Sequence, residues 1–558
     1  MRDRWWPPLR AFALYALLTA VLTWPYVTRL RILDAGDSAF FAWVMAWELH
    51  ALFTDPAVLP HANMFHPHRF VLGLDEPVLG TTLLALPLRL FTADAVFVFN
   101  LTRLLTYAAS GLTAYLLARE LRCAEVPALV AGALFAFSPI RTDQIAHLST
   151  LGSQWLPLVL LFLFRFARGG RARDALLSAV FYVLTAYACG YHGVLAGAVL
   201  PLPAAFLIGA RWSRWPKALA AAALAGLGVL PLLLLHRAAL APLQFVRNLE
   251  ETRYYAAALE TLLATSSWNR LWGPLTEEFR TTFANNLFPG LLPYVLPALG
   301  LVAVARRGRR PGREALTLAL LALVAVVVCL GPDIRFFGRT LARGPFGFLR
   351  EAVPLFQNIR VTARAGIFLA LALSALSGLA LTALRLRPAV AAGLGVLGLV
   401  ETLVIPIPTP SWSDVVDTRK PAPPVYAWLA AQPGEPAVVE VPMLDVEGVI
   451  NEPAFHESIY LVHSTRHWKP LVNGYAGHEP PDYLQLRQAM RRFPSAESLA
   501  ELRARGTRYV IVHRWGHGPN RWARIERDLP GFLGRDLREV ARFDGDTVYE
   551  LVTPAASR

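Results

Sequence analysis

Charge is scarce in this sequence. Only 17% of its 558 residues are Asp, Glu, Lys or Arg, and 55% are hydrophobic. Soluble domains usually carry about 25% charged residues. The deficit excludes an ordinary soluble chain, and repeated apolar runs of roughly 16–22 residues point to a polytopic membrane protein. Cysteine is scarce too. Cys123, Cys189 and Cys329 are the only three, each in or beside an apolar segment. They exclude a disulfide framework and a CxxC metal spacing. A small-residue cleavage site is missing after the apolar run that follows MRDRWW, so that run reads as an uncleaved first span. The net charge of +14 would suit nucleic acid, but its distribution does not. Arginines cluster in short segments between apolar runs, where orientation signals belong.

What is present is an alternation. Ala11–Tyr26 enters from a basic end, which places residues 33–77 in a first external loop. Val78–Phe91 is apolar but short, contains Pro87 and Arg89, and reads as a re-entrant or interfacial piece. Ala95–Leu117, Pro127–Phe137, Ser153–Phe166, Asp174–Cys189, Val194–Gly209, Ala218–Leu235, Leu287–Ala305, Glu314–Leu330, Thr362–Leu384 and Pro388–Ile407 follow. Arginine clusters occupy every second connection, giving about eleven spans with the C-terminus outside. The span cores are nearly free of charge, with Glu401 the main exception.

After IPIPTPSW (405–412) the composition turns polar. AVVEVPM (437–443) and TRYVIVHR (507–514) read as buried strands. SAESLAELRARG (495–506) reads as a helix with Ser495 as N-cap and Gly506 as its stop. VARFDGDTVYELV reads as a hairpin with Asp544-Gly545 in the turn. The expected architecture is a polytopic α-helical membrane domain, residues 1–407, followed by an extracytoplasmic α/β domain, residues 408–558.

The first loop concentrates titratable side chains, with six acids and four histidines. Within it, Ser38–Phe53 has apolar residues at helical spacing and is expected to lie along the membrane surface. Asp34 and Asp37 sit at the membrane–water boundary. A partly desolvated carboxylate there can act as a general base or a metal ligand. Alternatively, Asp37 with Ser38 caps the loop helix. His66 and His68 share one side of an extended segment and are candidate ligands for a divalent cation, or plain solvated histidines. Glu76, at the re-entry into lipid, needs a partner.

Other candidates come from distant loops. Arg141, Asp143, His147 and Gln154 belong to a polar loop at an external cavity mouth, unless Arg141 and Asp143 merely pair. Tyr191 and His192 fall on the same side. In NIRVTAR (358–364), Arg360 and Arg364 share one helical face. An external arginine pair at this depth calls for an anion, either phosphate, which arginine forks suit, or the carboxylate of Glu351 or of a first-loop acid.

These pieces together resemble bacterial membrane glycosyltransferases of the GT-C superfamily. The resemblance rests on the acidic loop DAGDSAFFAW, the re-entrant piece after it and the many-span core. It extends to poorly characterised relatives that have FxNIRVxAR before a late span and an external C-terminal domain with STRHWKPLVNGYAG (464–477). It implies transfer of a sugar from a polyprenyl phosphate to a glycan, lipid or protein acceptor on the outer face of the cytoplasmic membrane, with inversion. It implies that a first-loop aspartate acts as base, best matched by Asp37, with Asp34 nearby. Arg360, Arg364 and Arg141 would bind the donor phosphate. Asp34 and Asp37 are not adjacent, so the carboxylate pair of several such enzymes has a loose counterpart and a divalent cation stays open. A transporter or flippase for lipid-linked glycans and a non-catalytic envelope assembly factor are the competing readings.

Overall fold

A computed structural model describes residues 2–244, 247–407, 415–443 and 455–552, with the backbone alone at 2–6 and 455. Every apolar segment named above contains a helix. They run Arg2–Leu22, Ala95–Glu120, Glu125–Ala136, Leu156–Gly169, Ala172–Ala188, Trp215–Leu240, Leu292–Ala305, Arg313–Cys329, Gly366–Leu384 and Pro388–Glu401. The fifth after the first loop is broken into Gly190–Val199 and Pro201–Ile208, bent by 47°. Pro201 has no N–H and crowds the preceding turn, which accounts for the bend. Among the described residues, four stretches are long and apolar enough to cross a bilayer, or five with the bent pair. The chain is a multi-pass membrane protein. The count of eleven spans rests on the charge pattern rather than on helix length.

The first loop departs from expectation. Asp37–Thr54 is a helix, but it does not lie on a surface. Twelve of its 18 residues are buried. It packs against Leu79–Arg89 and Ala95–Glu120 on the membrane side and against Phe455–Ser464 on the other. A helix apolar all round has to be enclosed, and this one is. Its aromatic residues fill two interfaces, so their helical spacing did not mark a single wet face.

The C-terminal region forms a four-stranded sheet. Ala437–Val441 pairs in parallel with Thr507–His513, which pairs antiparallel with Asp546–Leu551, and Leu537–Phe543 closes the edge. The expected capping serine, Ser495, accepts from the Ser498 N–H, and Asp544-Gly545 makes the hairpin turn. The predicted boundary at 408 lies outside the described residues.

The loop and this sheet are one structure. Ile32–Asp34 pairs antiparallel with Val415–Asp417. The Phe65 and His66 amides donate to Asn473 O and Leu471 O at 3.0 and 2.9 Å. The Val472 amide in turn donates to Val438 O at 2.8 Å. Loop residues 63–66 therefore run beside a segment that borders the sheet. Phe40, Trp43, Met45 and Phe65 share a single hydrophobic core with Val439, Tyr460, Val510 and Ile511. Parts that share a core lie on the same side of the membrane.

Candidate active site

Gly36 turns the chain into the loop helix with φ +87°, and its amide donates to Ser458 Oγ at 2.8 Å. Glycine tolerates that conformation without cost. Asp37 is thus the first residue inside the helix, and it does not cap it. Its carboxylate faces outward from the helix start, where the backbone dipole favours negative charge.

Two partners hold that carboxylate. His147 Nε2 donates to Oδ2 at 2.8 Å, and the Tyr475 hydroxyl donates to Oδ1 at 2.7 Å. Burial pushes the Asp37 pKa up, but His147, the Tyr475 hydroxyl and the charge of Arg364 prevail and hold it at about 2. The opposite holds for Tyr475, whose hydroxyl is raised far above its usual range by burial and by Asp37. Asp37 stays ionised and Tyr475 stays a donor. The Asp37 side chain keeps 38% of its surface accessible.

That open surface faces a cavity of about 1500 Å3. Its head is polar, with Asp75, Glu76, His147, Tyr191, Arg247, Arg360, Arg364 and His478 around Asp37. Its body is an apolar trough between Leu156–Gly169, Ala172–Ala188, the bent pair and Trp215–Leu240. Small residues (Ala218, Ala222, Ala225, Gly226) line one wall as far as Trp215. A helix of 26 residues is about 39 Å long at 1.5 Å per residue, so the trough is as deep as a bilayer.

The two expected arginines differ. Arg360 Nη1 lies 3.5 Å from Glu251 Oε1, and Glu251 also accepts from Arg247 at 3.2 Å. Arg364 stacks over the Tyr191 ring at 4.2 Å. Among the described residues no carboxylate lies within ion-pair distance of it. The Tyr191 amide donates to Glu76 Oε1 at 2.8 Å, which gives Glu76 the partner that its position demands. Gly80 makes this contact reachable. A Cβ there would collide with Leu184 O and the Ala188 amide, so only glycine lets Leu79–Arg89 approach Ala172–Ala188 this closely.

A strap from the C-terminal unit closes the head. Besides Tyr475, the Gly477 amide donates to Asp75 Oδ2, and His478 Nδ1 donates to Leu74 O at 2.8 Å. Arg247 Nη2 then donates to His478 Nε2 at 3.1 Å. Burial first, then Arg247, lower the His478 pKa to about 4, so the ring is neutral and can accept.

The structure therefore brings Asp37, Glu76, His147, Tyr191, Arg360 and Arg364 together around one cavity. It does not bring the other expected residues there. Asp34 is buried in the strand Ile32–Asp34 and pairs with Arg29 at 3.3 Å. Arg141 is fully buried and donates to Ser153 Oγ, Ala136 O and Leu151 O, so its fork closes on its own loop instead of phosphate. Gln154 is buried and donates to Thr81 Oγ1 at 3.3 Å. Asp143 and His192 line a separate small pocket on the far side of Arg364, where Asp143 accepts from Asn286 at 3.3 Å. His68 Nε2 is 3.0 Å from Asp482, while His66 serves the backbone pairing with Leu471. Among the described residues no cluster of three or more His, Cys, Asp or Glu could hold a metal ion. The described residues thus offer a divalent cation no ligand set.

Sequence reasoning missed Tyr475, His478, Arg247 and Glu251. Arg247 and Glu251 have the spacing of an ordinary i,i+4 helix pair, and NGYAGH reads as a turn. Nothing local marks either as part of a site.

This geometry has relatives. The chain has the fold of the GT-C membrane glycosyltransferases. An arabinofuranosyltransferase, AftD, from Mycobacteria matches with TM-score 0.57 at 16% identity, over 99% of this chain and 40% of that one. The chain thus spans well under half of that protein's length. Two weaker likenesses are an oligosaccharyltransferase, AglB, from Archaeoglobus fulgidus (TM-score 0.48, 13% identity, 92% of this chain and 70% of that one) and ArnT from Cupriavidus metallidurans (0.44, 13%, 99% and 99%). At such identities the likeness is one of fold. Residues 81–402, more than half of the chain, match the family described as "Domain of unknown function (DUF6311)", and the chain belongs to it. That match includes His147, Tyr191, Arg360 and Arg364 but neither Asp37 nor Tyr475. No curated protein matches the sequence.

Proposed function

We propose that the protein is a membrane glycosyltransferase that moves a sugar from a polyprenyl-phosphate donor to an acceptor hydroxyl, with inversion, on the outer face of the cytoplasmic membrane. The observation that carries this reading is the single cavity in which an ionised carboxylate and a guanidinium with no carboxylate in ion-pair reach among the described residues share a polar head above a trough as deep as a bilayer. The trough suits a long isoprenoid tail, and the head suits the phosphate and sugar. Arg364 takes the phosphate, which gains negative charge as the anomeric C–O bond breaks. Stabilisation of this kind is worth on the order of 3 kcal/mol per group. Arg360 assists, its charge shared with Glu251. The acceptor oxygen binds beside Asp37 and attacks the opposite face of the anomeric carbon. With its pKa near 2, Asp37 is a weak base toward a free alcohol. It takes the proton late, when the forming bond has made the hydroxyl acidic.

The test is the lipid-linked glycan profile of a deletion strain complemented with wild-type or variant genes. Wild type should restore it, whereas D37N and R364A, expressed at equal levels, should leave the donor lipid unconsumed. Full restoration by D37N would remove Asp37 from the mechanism.

A further inference from the structure

The hairpin formed by Asp333–Phe336 and Arg339–Arg343 has no part in this chemistry, yet its composition is unusual. Phe336 pairs with Arg339 across a two-residue turn, Phe337-Gly338. Both turn residues have positive φ, +44° and +76°. Such turns favour Asn-Gly, and a phenylalanine there is strained. Phe336, Phe337 and Leu341 are nonetheless 45, 53 and 60% exposed. The Phe337 ring packs against Phe336 and Phe279, with ring centroids 4.8 and 6.3 Å away, and this aromatic cluster remains open to its surroundings.

The hairpin is held rigidly. Arg253 Nε donates to Asp333 Oδ2 at 2.6 Å, and the Phe337 amide donates to Glu260 Oε1 at 3.0 Å. It also starts four residues after the apolar helix Arg313–Cys329 ends. Four extended residues reach about 14 Å at most, so the base of the hairpin stays close to the end of that helix. Asp333 is neutralised by Arg253 and Glu351 by Arg343, while Arg339 is exposed on the return strand.

We propose that this hairpin is a bilayer anchor. Phe336, Phe337 and Leu341 enter the boundary between headgroups and acyl chains of the adjacent leaflet, and Arg339 meets anionic lipid phosphate. Aromatic rings and long basic side chains are the groups that this boundary accepts. The anchor also serves the cavity. The short helix Leu249–Tyr255 carries Arg253 onto the hairpin and Glu251 onto Arg360, so it ties the depth of the arginine wall to the bilayer.

The test uses full-length protein in lipid nanodiscs. The three native cysteines are buried, so a nitroxide on F337C reports selectively. D544C, on the exposed turn of the C-terminal hairpin, is the control. The F337C label should collide with oxygen several-fold more than with a water-soluble nickel chelate, relative to the control. Adding phosphatidylglycerol to phosphatidylcholine should deepen it, and R339S should cancel that gain. L341C gives a second reading should F337C misfold. Nickel accessibility equal to the control at both sites would overturn the proposal and leave the tip to water or a protein partner. The readout needs neither donor nor acceptor, so it stands apart from the transferase reading.

Discussion

A single carboxylate carries the proposed chemistry, and its environment makes distinct demands on each neighbour. Tyr475 donates one of the two bonds that hold Asp37 near pKa 2. Y475F deletes that bond without deleting the ring. We expect kcat to fall about tenfold, the equivalent of one charge-assisted bond of about 1.4 kcal/mol. KM for the donor should change little, because Tyr475 does not belong to the arginine wall. R364K should do the reverse. Lysine keeps the charge but loses the fork and the stacking on Tyr191, so donor affinity should drop more than turnover. Steady-state kinetics on both variants separates these effects. The acid limb of the wild-type profile carries a further expectation. The folded-state pKa of Asp37 is depressed, so the carboxylate remains charged until the pH falls toward 2. A limb seen between pH 5 and 7 must belong to another group, and D37N cannot be used to move it.

At the scale of elements, the loop helix shows what the sequence made legible and what it hid. Its existence followed from the spacing of Phe41, Val44, Met45, Leu49 and Leu52. Its burial did not, because periodicity reports how apolar a face is and says nothing of how many partners it meets. The same limit explains the site. Arg360 and Arg364 stood out because external arginines at a span entrance oppose the usual charge bias. Arg141 stood out as part of a polar loop at a cavity mouth and was misplaced, since a buried arginine satisfied by carbonyls looks identical in sequence to one awaiting phosphate. Tyr475 reaches Asp37 across 438 positions of chain, and no local pattern encodes such a contact. Glu48 gives the helix a measurable signature. Burial raises its pKa to about 8, against the bonds it accepts from Thr82 and the Val78 amide. The folded state therefore keeps a proton that the unfolded chain releases near pH 4, and stability falls as the pH rises from about 4 to 8, by up to about 1.4 kcal/mol per pH unit. E48Q should flatten that slope. Thermal unfolding in detergent between pH 5 and 9 would show it. An equally steep variant would assign the slope elsewhere. G80A should cost about 1–3 kcal/mol by forcing two helix backbones apart, and should loosen Glu76 from Tyr191.

At the scale of the molecule, the C-terminal unit is not an appendage. A domain that only recruited an acceptor would be separable, leaving the membrane part and its first loop intact. Here the loop has no independent core. Trp43, Phe40 and Phe65 are buried against residues of the C-terminal unit, the strand Ile32–Asp34 has its partner in Val415–Asp417, and the cavity head is closed by residues 475–478. Removing the chain after 407 would expose a large apolar area, and at roughly 25 cal/mol per Å2 about 400 Å2 is worth about 10 kcal/mol, as much as a domain's usual margin of stability. Truncation should therefore unfold residues 33–77 and not merely abolish transfer. Hydrogen exchange on the truncated protein in nanodiscs should show the loop-helix amides losing protection while those of Gly366–Leu384 keep it. Supplying the missing unit as a separate polypeptide should restore protection if it folds alone. A loop that stays protected without its partner would show that the shared core is dispensable, and the C-terminal unit would then be free to act as a recruiting domain.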